Sequence, residues 1–316
     1  MVTEILDAVH NKSESIRIAL EWLRAGMPVA FPTETVYGLG SGIFDLNAVE
    51  KIYRIKGRDT GNPLSAHISS VSDVEIICSE IKDDFYLLAQ HFLPGPLSIV
   101  MRKKKEVSDL VTGGGDTISI RIPDNDVFRQ LSKLFGSPIA ATSANKSGRP
   151  SPIDANHVLD DLQGEIPVIL DTGRCRYQIE STVVSLVGDE PVLIRPGAIS
   201  QNKINDVLGK KIISLDKQLT VYNDTRSSLN RSKMKILCFD NAGSIESYYK
   251  ANNQIKLLIM TRNPIFSESE YNIVRTNEST FFQDLREAEK SGIEILLVDK
   301  DEYVMSNEVL RHRLRI

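Results

Sequence analysis

The segment Phe31–Gly40, FPTETVYGLG, constrains the fold more than any other part of this chain. The apolar run before it, Met27–Phe31, predicts a strand that enters a Pro-Thr-Glu-Thr turn. The glycines after the turn predict a tight bend and a close approach of the backbone to a ligand. Sixteen residues after Gly40 comes Lys56-Gly57-Arg58, a basic pair that we expect in a loop, where it can bind an anion. The segment therefore predicts a ligand-binding turn with an anion-binding pair nearby.

The composition is that of an ordinary globular protein. The 316 residues suffice for two domains, and the hydrophobic and charged fractions of 41% and 25% are average. No apolar run approaches the roughly 20 residues of a membrane span, and the polar N-terminus resembles neither a signal nor a transit peptide. Cys78, Cys175 and Cys238 lie far apart. We therefore expect a cytoplasmic protein without a membrane segment, a disulfide framework or a metal site.

The charge distribution argues against bulk nucleic-acid binding. The net charge is −4, and no basic tail is present. The one dense basic run is Arg102–Lys105, which directly follows a predicted strand. We interpret this run as a solvated hairpin end, and RNA binding stays open as the alternative.

Two patterns of secondary structure divide the chain. Residues 1–205 mix strands and helices without strict alternation, which predicts a twisted mixed sheet. Residues 206–233 contain a polar stretch with almost no apolar side chains and are predicted as a linker. Residues 234–316 alternate strands and helices and predict a small Rossmann-like α/β domain. The first turn of that domain, Asp240–Ser244, lacks a GxGxxG fingerprint, so we infer no nucleotide there.

Short polar motifs recur at predicted strand ends of the first domain, where open α/β sheets bind ligands. They are Ser119-Ile120-Arg121, Thr142–Asn145, Ser147–Ser151, Glu180-Ser181-Thr182 and Ile194–Gly197. They supply several guanidinium groups, many hydroxyls and little acid, which suits a polyanion together with a small carboxylate. No P-loop, HExxH or GxSxG motif is present. For His67 we weigh a structural hydrogen bond and a ligand role about evenly.

The ordered set of motifs resembles the YrdC-like threonylcarbamoyl-AMP synthases in their long, two-domain form. The segments that carry the resemblance are FPTETVYGLG, Lys56-x-Arg58, PGPLSIVM, SIRIPD, ATSANKSGRPSP, ESTVV and IRPGAI. The resemblance implies an open concave cavity on the mixed sheet. It also implies a nucleotidyltransferase that condenses L-threonine, bicarbonate or CO₂ and ATP to threonylcarbamoyl-AMP and releases pyrophosphate. A separate transferase complex then modifies tRNA, and the resemblance leaves a weak tRNA contact open.

The resemblance also implies roles for individual residues. The residues that would hold threonine are Thr35, His67, Arg121, Ala141 and Ser181. Those that would hold ATP are Lys56, Arg58, Asn62, Thr117, Ser143, Asn145, Ser151 and Arg195. Lys56 and Arg58 would be catalytic beside the phosphates, and Mg²⁺ would be held mainly by phosphate oxygens.

One segment departs from the family pattern. Long-form members carry a linker of the type PGMKYRHYAP over the catalytic mouth, whereas the corresponding stretch here is SSLNRSKMKILCF. We expect Arg226–Lys235 to cover the ATP side through basic charge. Whether residues 223–235 close the site, what the second domain does, the oligomeric state and the general base (His67, phosphate or water) stay open. Two other functions also stay open, a carbamoyl-adenylate-forming enzyme and an RNA-binding module with a basic concave face.

Overall fold

A computed structural model of the chain describes residues 1–214, 234–314 and 316. It divides into two compact units. Described residues 1–147 and 151–214 belong to the first unit, and residues 148–150 belong to the second together with the described residues from 234 onward. The central part of the predicted linker, with most of Arg226–Lys235, lies outside the described residues. The boundaries at 205 and 233 therefore stay predictions.

The first unit alternates irregularly between strands and helices. Its strands are β1 Glu4–Asp7, β2 Val29–Phe31, β3 Gly38–Gly42, β4 Ser65–His67, β5 Leu97–Arg102, β6 Thr117–Arg121, β7 Ile139–Ser143, β8 Val168–Asp171, β9 Thr182–Ser185, β10 Val192–Arg195 and β11 Ile213–Ser214. Its helices are α1 Lys12–Arg24, α2 Leu46–Lys56, α3 Val74–Ile77, α4 Asp83–Phe92, α5 Asp109–Thr112, α6 Asp126–Phe135, α7 Ala155–Leu162 and α8 Gln201–Leu208, with a 3₁₀ turn at Val71–Asp73.

The strands of the first unit form one sheet in the order β1-β8-β2-β3-β7-β4-β6-β5-β9-β10-β11. Five neighbouring pairs are parallel and five are antiparallel. The predicted mixed sheet is therefore confirmed. The register pairs His67 of β4 with Arg121 of β6, so two residues predicted to bind threonine lie side by side. The concave cavity stays a prediction.

Helices cover both faces of this sheet. Along β2, Val29 and Phe31 pack into one apolar cluster with side chains of α1 and α6. Ala30, between them, packs into the cluster on the other face, which includes residues of α2, α4 and α7. This alternation is the period-2 pattern of a strand buried on both sides. Burial of each large apolar side chain contributes about 1.5–3 kcal/mol, so the two clusters hold the strand ends in place.

The glycines of FPTETVYGLG do not form the predicted bend. The chain bends at Glu34–Val36, and Gly38–Gly42 is the buried strand β3. A Cβ on Gly38 would lie 2.5 Å from the ring of Phe31, and a Cβ on Gly40 would lie 2.6 Å from Ile139. Glycine is needed here because neighbouring side chains fill the space above a central strand, so the prediction of a glycine turn was wrong.

Lys56 also lies elsewhere than predicted. We expected it in a loop, but α2 runs from Leu46 to Lys56 and Lys56 is its last residue. Asp45 caps the start of this helix by accepting a hydrogen bond from the backbone of Ala48 at 3.0 Å. Gly57 ends the helix in the left-handed conformation, with φ of 58°. The helix therefore fixes the direction of Lys56 more firmly than a loop would.

The second unit contains a separate four-stranded sheet. Its elements are β12 Lys235–Phe239, α9 Ala242–Ala251, β13 Leu257–Met260, β14 Ile273–Val274, α10 Phe281–Lys290, β15 Ile295–Asp299, α11 Glu302–Ser306 and α12 Glu308–Leu314. The strands are parallel and ordered β12-β15-β13-β14, as expected for a small Rossmann-like domain. Asn241 caps α9 by accepting from Ser244 N at 2.9 Å, a structural role for its first turn. No helix in the described ranges combines the length and apolarity that crossing a membrane requires.

Candidate active site

Arg121 is the buried centre of the residues predicted to bind threonine. It ends β6 and is 4% exposed. Its Nη2 donates to Thr35 Oγ1 at 2.7 Å and its Nε donates to Gly95 O at 3.3 Å, while Nη2 lies 2.9 Å from Glu34 Oε1. Within the part of the chain that is described, Nη1 has no acceptor, and it is not among the fully buried atoms that lack a partner. Nη1 is therefore the nitrogen left to bind an anionic ligand.

His67 lies next to Arg121 in an aromatic environment. Its ring centroid is 5.9 Å from that of Phe31 and 5.6 Å from that of Phe128, edge-on in both cases. Its Nδ1 is buried without a hydrogen-bond partner in the described part of the chain. Burial, and then the positive charge of Arg121, lower the pKa of His67 well below 6.5. The imidazole is therefore neutral at physiological pH.

Ser181 is held by two other polar side chains just before β9. Its hydroxyl oxygen lies 2.8 Å from Ser98 Oγ, and both serines are buried. Arg195, at the end of β10, donates to Ser181 O from Nε at 3.1 Å and from Nη2 at 2.8 Å. The same Nη2 lies 3.1 Å from Ser181 Oγ. Ser181, predicted to bind threonine, and Arg195, predicted to bind ATP, are thus in direct contact.

The dipeptide Gly95-Pro96 connects this serine with Arg121. Gly95 O accepts from Arg121 Nε, and Pro96 O accepts from the backbone of Thr182 at 3.0 Å. Ala141 lies elsewhere on the sheet, on β7 between β3 and β4, and is 1% exposed. Hydrogen bonds and strand register therefore bring together Thr35, His67, Arg121 and Ser181, while Ala141 contributes only a buried methyl group.

Lys56 contacts two other residues that are predicted to bind ATP, Ser143 and Asn145. Its Nζ donates to the backbone oxygens of Ser143 and Asn145 and lies 3.3 Å from Asn145 Oδ1. The residue is 2% exposed. An ammonium group has three donors, and here each has an acceptor. The positive charge is consequently fixed at the end of β7.

Arg58 and Asn62 form a second group. Arg58 Nε donates to Asn62 O at 3.2 Å and Nη2 donates to Pro63 O at 2.9 Å. The loop Gly113-Gly114-Gly115 packs directly on this segment, since a Cβ on Gly113 would lie 2.6 Å from Gly61 O. The side chain of Thr117, at the start of β6, makes no hydrogen bond to either group in the described ranges. The structure therefore does not join Thr117 to the other predicted ATP residues.

Ser151 is connected to the threonine side of the site. Its hydroxyl donates to Glu180 Oε1 at 2.8 Å, and both side chains are buried. Glu180 precedes Ser181 in the chain. The backbone of this dipeptide is also covered by Gly197, whose Cβ, if present, would lie 2.5 Å from Glu180 O. The Glu180-Ser181 dipeptide is thus held by Ser151 and Arg195, two residues that are predicted to bind ATP.

Sequence reasoning missed three buried polar residues. Glu34 pairs with Arg121, Ser98 with Ser181 and Glu180 with Ser151. Two carboxylates, those of Glu34 and Glu180, therefore lie among the cations and hydroxyls. Each of the three lies inside a motif already singled out, namely FPTETVYGLG, PGPLSIVM and ESTVV. Their place inside these motifs was the one feature of the sequence that could have indicated them.

Fold and site together define an α/β protein with arginines, a lysine and hydroxyls gathered at the strand ends of a large mixed sheet. The chain belongs to the Sua5/YciO/YrdC family, whose model carries the description "Telomere recombination" and matches residues 21–197. The resemblance noted from the motifs is therefore confirmed.

Curated relatives in this family are named threonylcarbamoyl-AMP synthase. The Pyrococcus abyssi protein is 46% identical over 195 residues, which are 62% of this chain and 57% of that protein. The Bacillus subtilis protein is 41% identical over 222 residues, covering 70% of this chain and 64% of the relative. The matched region thus spans less than two thirds of either relative. The solved structure of P. abyssi Sua5 complexed with L-threonine has a TM-score of 0.84 at 32% identity and covers 99% of this chain and 97% of that one.

Proposed function

We propose that this chain is a threonylcarbamoyl-AMP synthase, a nucleotidyltransferase that uses L-threonine, bicarbonate or CO₂, and ATP. The names of the relatives and the threonine complex of P. abyssi Sua5 support this function. The observation that carries the proposal is the buried Arg121, whose Nε and Nη2 are engaged and whose Nη1 is left for a carboxylate. A guanidinium fixed in this way is suited to hold an amino acid by its carboxylate.

Threonine would bind around this guanidinium. Arg121 Nη1 would take the carboxylate, and the hydroxyls of Thr35 and Ser181 would hydrogen-bond its polar groups. Neutral His67, whose Nδ1 is buried, would line the site without touching threonine through that atom, and the methyl group of Ala141 would limit the space. The contacts of Thr35 and Ser181 with Arg121 and Arg195 support this assignment, because they fix both hydroxyls before substrate arrives.

ATP would bind beside threonine through the remaining predicted residues. Their contacts make three groups, Lys56 with Ser143 and Asn145, Arg58 with Asn62, and Ser151 and Arg195 on either side of Glu180-Ser181, with Thr117 apart. Lys56 would act by its charge and by holding the end of β7, since a phosphate oxygen would have to replace one of the acceptors of its Nζ. Arg58 would add a second positive charge on the phosphate side.

The chemistry would proceed in two steps. The threonine amine, after losing a proton, attacks CO₂ or bicarbonate, and a carbamate forms, with release of a second proton when CO₂ is used and of water when bicarbonate is used. A carbamate oxygen then attacks the α-phosphorus of ATP, and the bond to pyrophosphate breaks. Neither step needs a covalent intermediate with the protein. The cations would stabilise the charge that develops on the phosphates, which is the main contribution of a protein to such a transfer.

Mg²⁺ would accompany the nucleotide. The side chains at the phosphate side are an ammonium, guanidinium groups, hydroxyls and amides, and the described residues contain no cluster of three or more His, Cys, Asp or Glu suited to a metal. Phosphate oxygens and water would therefore supply most of its ligands. The product would serve a tRNA threonylcarbamoyl transferase complex, and the cytoplasmic location stays a prediction.

The dense basic run gives little support to the RNA-binding alternative. Arg102 pairs with Asp116, Lys103 lies 2.5 Å from Asp109, and Lys104 donates to Glu75 O. Two of the four cations thus have a carboxylate beside them, which reduces the positive charge available for phosphates.

The test is pyrophosphate release from ATP with threonine and bicarbonate varied separately, together with mass spectrometry of the adenylate. We expect release to require both and the product to carry the threonylcarbamoyl group. Release that ignores threonine would reject the proposal and favour carbamoyl-adenylate chemistry. Salt-sensitive RNA binding without turnover would favour the binding module.

A further inference from the structure

Glu34 is a buried carboxylate directly beside the guanidinium of Arg121. The two side chains are 2% and 5% exposed, and Glu34 Oε1 lies 2.9 Å from Arg121 Nη2. The two atoms are not aligned as a hydrogen bond, and Oε1 has no donor within the described ranges. The contact is therefore mainly an attraction between charges. Because Oε1 is fully buried, Glu34 acts on a ligand through Arg121 and through its electric field, and not by touching it.

The rest of Glu34 is fixed in place. Its Oε2 accepts from the backbone of Asp124 at 3.1 Å, and its carbonyl oxygen accepts from Tyr177 N at 2.8 Å. The next residue, Thr35, accepts from the same Nη2 of Arg121. Glu34 consequently cannot swing away when a ligand arrives, and its charge stays beside Arg121 in the empty and the occupied site.

The fixed pair has no net charge. A bare buried guanidinium would attract any carboxylate and repel the ammonium group that an amino acid carries next to it. With Glu34 at 2.9 Å, the repulsion of that ammonium is largely cancelled, while Nη1 keeps its hydrogen bonds for the carboxylate. We propose that Glu34 is a positioning residue that makes the Arg121 site select a zwitterionic amino acid over a simple carboxylate anion.

This inference rests on the proposed function, because it takes threonine as the ligand. Threonine and 3-hydroxybutyrate share the carboxylate and the hydroxyl-bearing carbon, and 3-hydroxybutyrate lacks the ammonium. The ratio of their dissociation constants therefore isolates the effect of the ammonium charge. If Glu34 had a merely structural role, its substitution would weaken the binding of both ligands alike and leave the ratio unchanged.

The experiment measures both dissociation constants by calorimetry on the full chain without ATP. We expect wild type to bind threonine at least tenfold more tightly than 3-hydroxybutyrate, and Glu34→Gln to reduce this ratio at least tenfold. The matched control is Glu14→Gln, which removes the same charge from the exposed pair with Arg17, where Oε1 and Nη2 are 2.6 Å apart. Its ratio should equal that of wild type.

A second variant covers the case in which Glu34→Gln does not fold. Glu34→Asp keeps the charge and removes one methylene, so both ligands should weaken while the ratio stays within threefold of wild type. Loss of the ratio in Glu34→Asp, or an unchanged ratio in Glu34→Gln, overturns the inference. If wild type binds 3-hydroxybutyrate as tightly as threonine, the inference alone fails. If wild type binds no threonine at all, the proposed function fails and the inference with it.

Discussion

Arg195 donates hydrogen bonds to both the backbone and the side chain of Ser181. Its Nε and Nη2 donate to the Ser181 carbonyl oxygen at 3.1 and 2.8 Å, and Nη2 also lies 3.1 Å from the hydroxyl oxygen. In the proposed function the first residue serves ATP and the second serves threonine. The two substrates would therefore meet at one hydrogen-bonded segment, and changes to that segment should affect them differently.

Replacement of Ser98 by alanine should weaken the binding of threonine but not the binding of ATP. When Arg195 donates to the Ser181 hydroxyl oxygen, Ser98 is the remaining partner, 2.8 Å away, that orients its hydrogen. Loss of a hydrogen bond of about 0.5–1.5 kcal/mol predicts an increase of roughly fivefold in the KM for threonine. The KM for ATP should stay within about twofold. Pyrophosphate release with each substrate varied gives both values.

The control for this variant is Ser185→Ala. Like Ser98, Ser185 is a buried serine; it lies on β9, and its hydroxyl accepts from Val187 N at 3.3 Å, away from Ser181. Its KM values should match those of wild type. An equal rise in both KM values for Ser98→Ala would mean that Ser98 acts on general packing and does not orient Ser181.

Gly197→Ala should destabilise the segment that carries Ser181. A Cβ on Gly197 would lie 2.5 Å from Glu180 O, Ser181 C and Thr182 N, all of them backbone atoms that cannot rotate aside. Such overpacking costs about 1–3 kcal/mol, and the free energy of unfolding in urea should fall by this amount. Threonine binding should weaken as well, because Ser181 is displaced.

Gly188→Ala is the matched control for that substitution. The nearest atom to its Cβ would be Glu190 O at 3.9 Å, an ordinary contact. Its free energy of unfolding should remain within about 0.5 kcal/mol of wild type. A Gly197→Ala protein as stable as this control would contradict the close packing of Gly197 on residues 180–182.

The sequence was sufficient for elements with a clear hydrophobic period. The mixed strands and helices predicted for residues 1–205 and the alternating strands and helices predicted for residues 234–316 are present in the described ranges. Gly38–Gly42 was not predictable as a strand, because its glycines are required by the ring of Phe31 and by Ile139. Those contacts arise only when the sheet forms, so local propensity indicated a turn.

For the site, too, the sequence indicated the residues but not their contacts. Cations and hydroxyls at strand ends could be listed from motifs, but their pairing could not. The contact of Ser151 with Glu180 and that of Arg121 with Glu34 depend on register and on loops that cross between strands. The carboxylate of Glu34 compensates the buried guanidinium of Arg121, and neither motif by itself indicates that pairing.

Lys56→Met should reduce both stability and turnover. The substitution keeps the length of the side chain but leaves the carbonyl oxygens of Ser143 and Asn145 without their donor in a buried place. An unsatisfied buried polar group costs about 1–3 kcal/mol, so the free energy of unfolding should fall by at least about 2 kcal/mol. The kcat should fall at least tenfold, because the substitution removes the fixed charge that the proposed function places beside the phosphates.

Lys51→Met provides the comparison on the same helix. Lys51 Nζ donates to Gly26 O at 2.8 Å and is only partly buried. Its loss should lower stability by less than the Lys56 substitution and leave kcat unchanged. Equal effects of the two substitutions on kcat would show that Lys56 has no special relation to the reaction.

His67 should make the stability depend on pH below its ordinary pKa. Burial, and then the charge of Arg121, lower the pKa of His67 in the folded state well below 6.5, whereas in the unfolded chain it is about 6.5. As the pH falls below 6.5, the unfolded chain binds a proton that the folded protein does not. The free energy of unfolding should then decrease by up to about 1.4 kcal/mol per pH unit from this group, and not change above pH 7.

The measurement is urea unfolding of wild type and His67→Gln between pH 4.5 and 8. All other titrating groups are common to both proteins, so the difference between their free energies of unfolding isolates His67. That difference should be constant above pH 7 and should shift steadily in favour of the variant as the pH falls. Parallel curves over the whole range would mean that His67 takes up its proton equally in both states, and that its environment beside Arg121, Phe31 and Phe128 is not the one described.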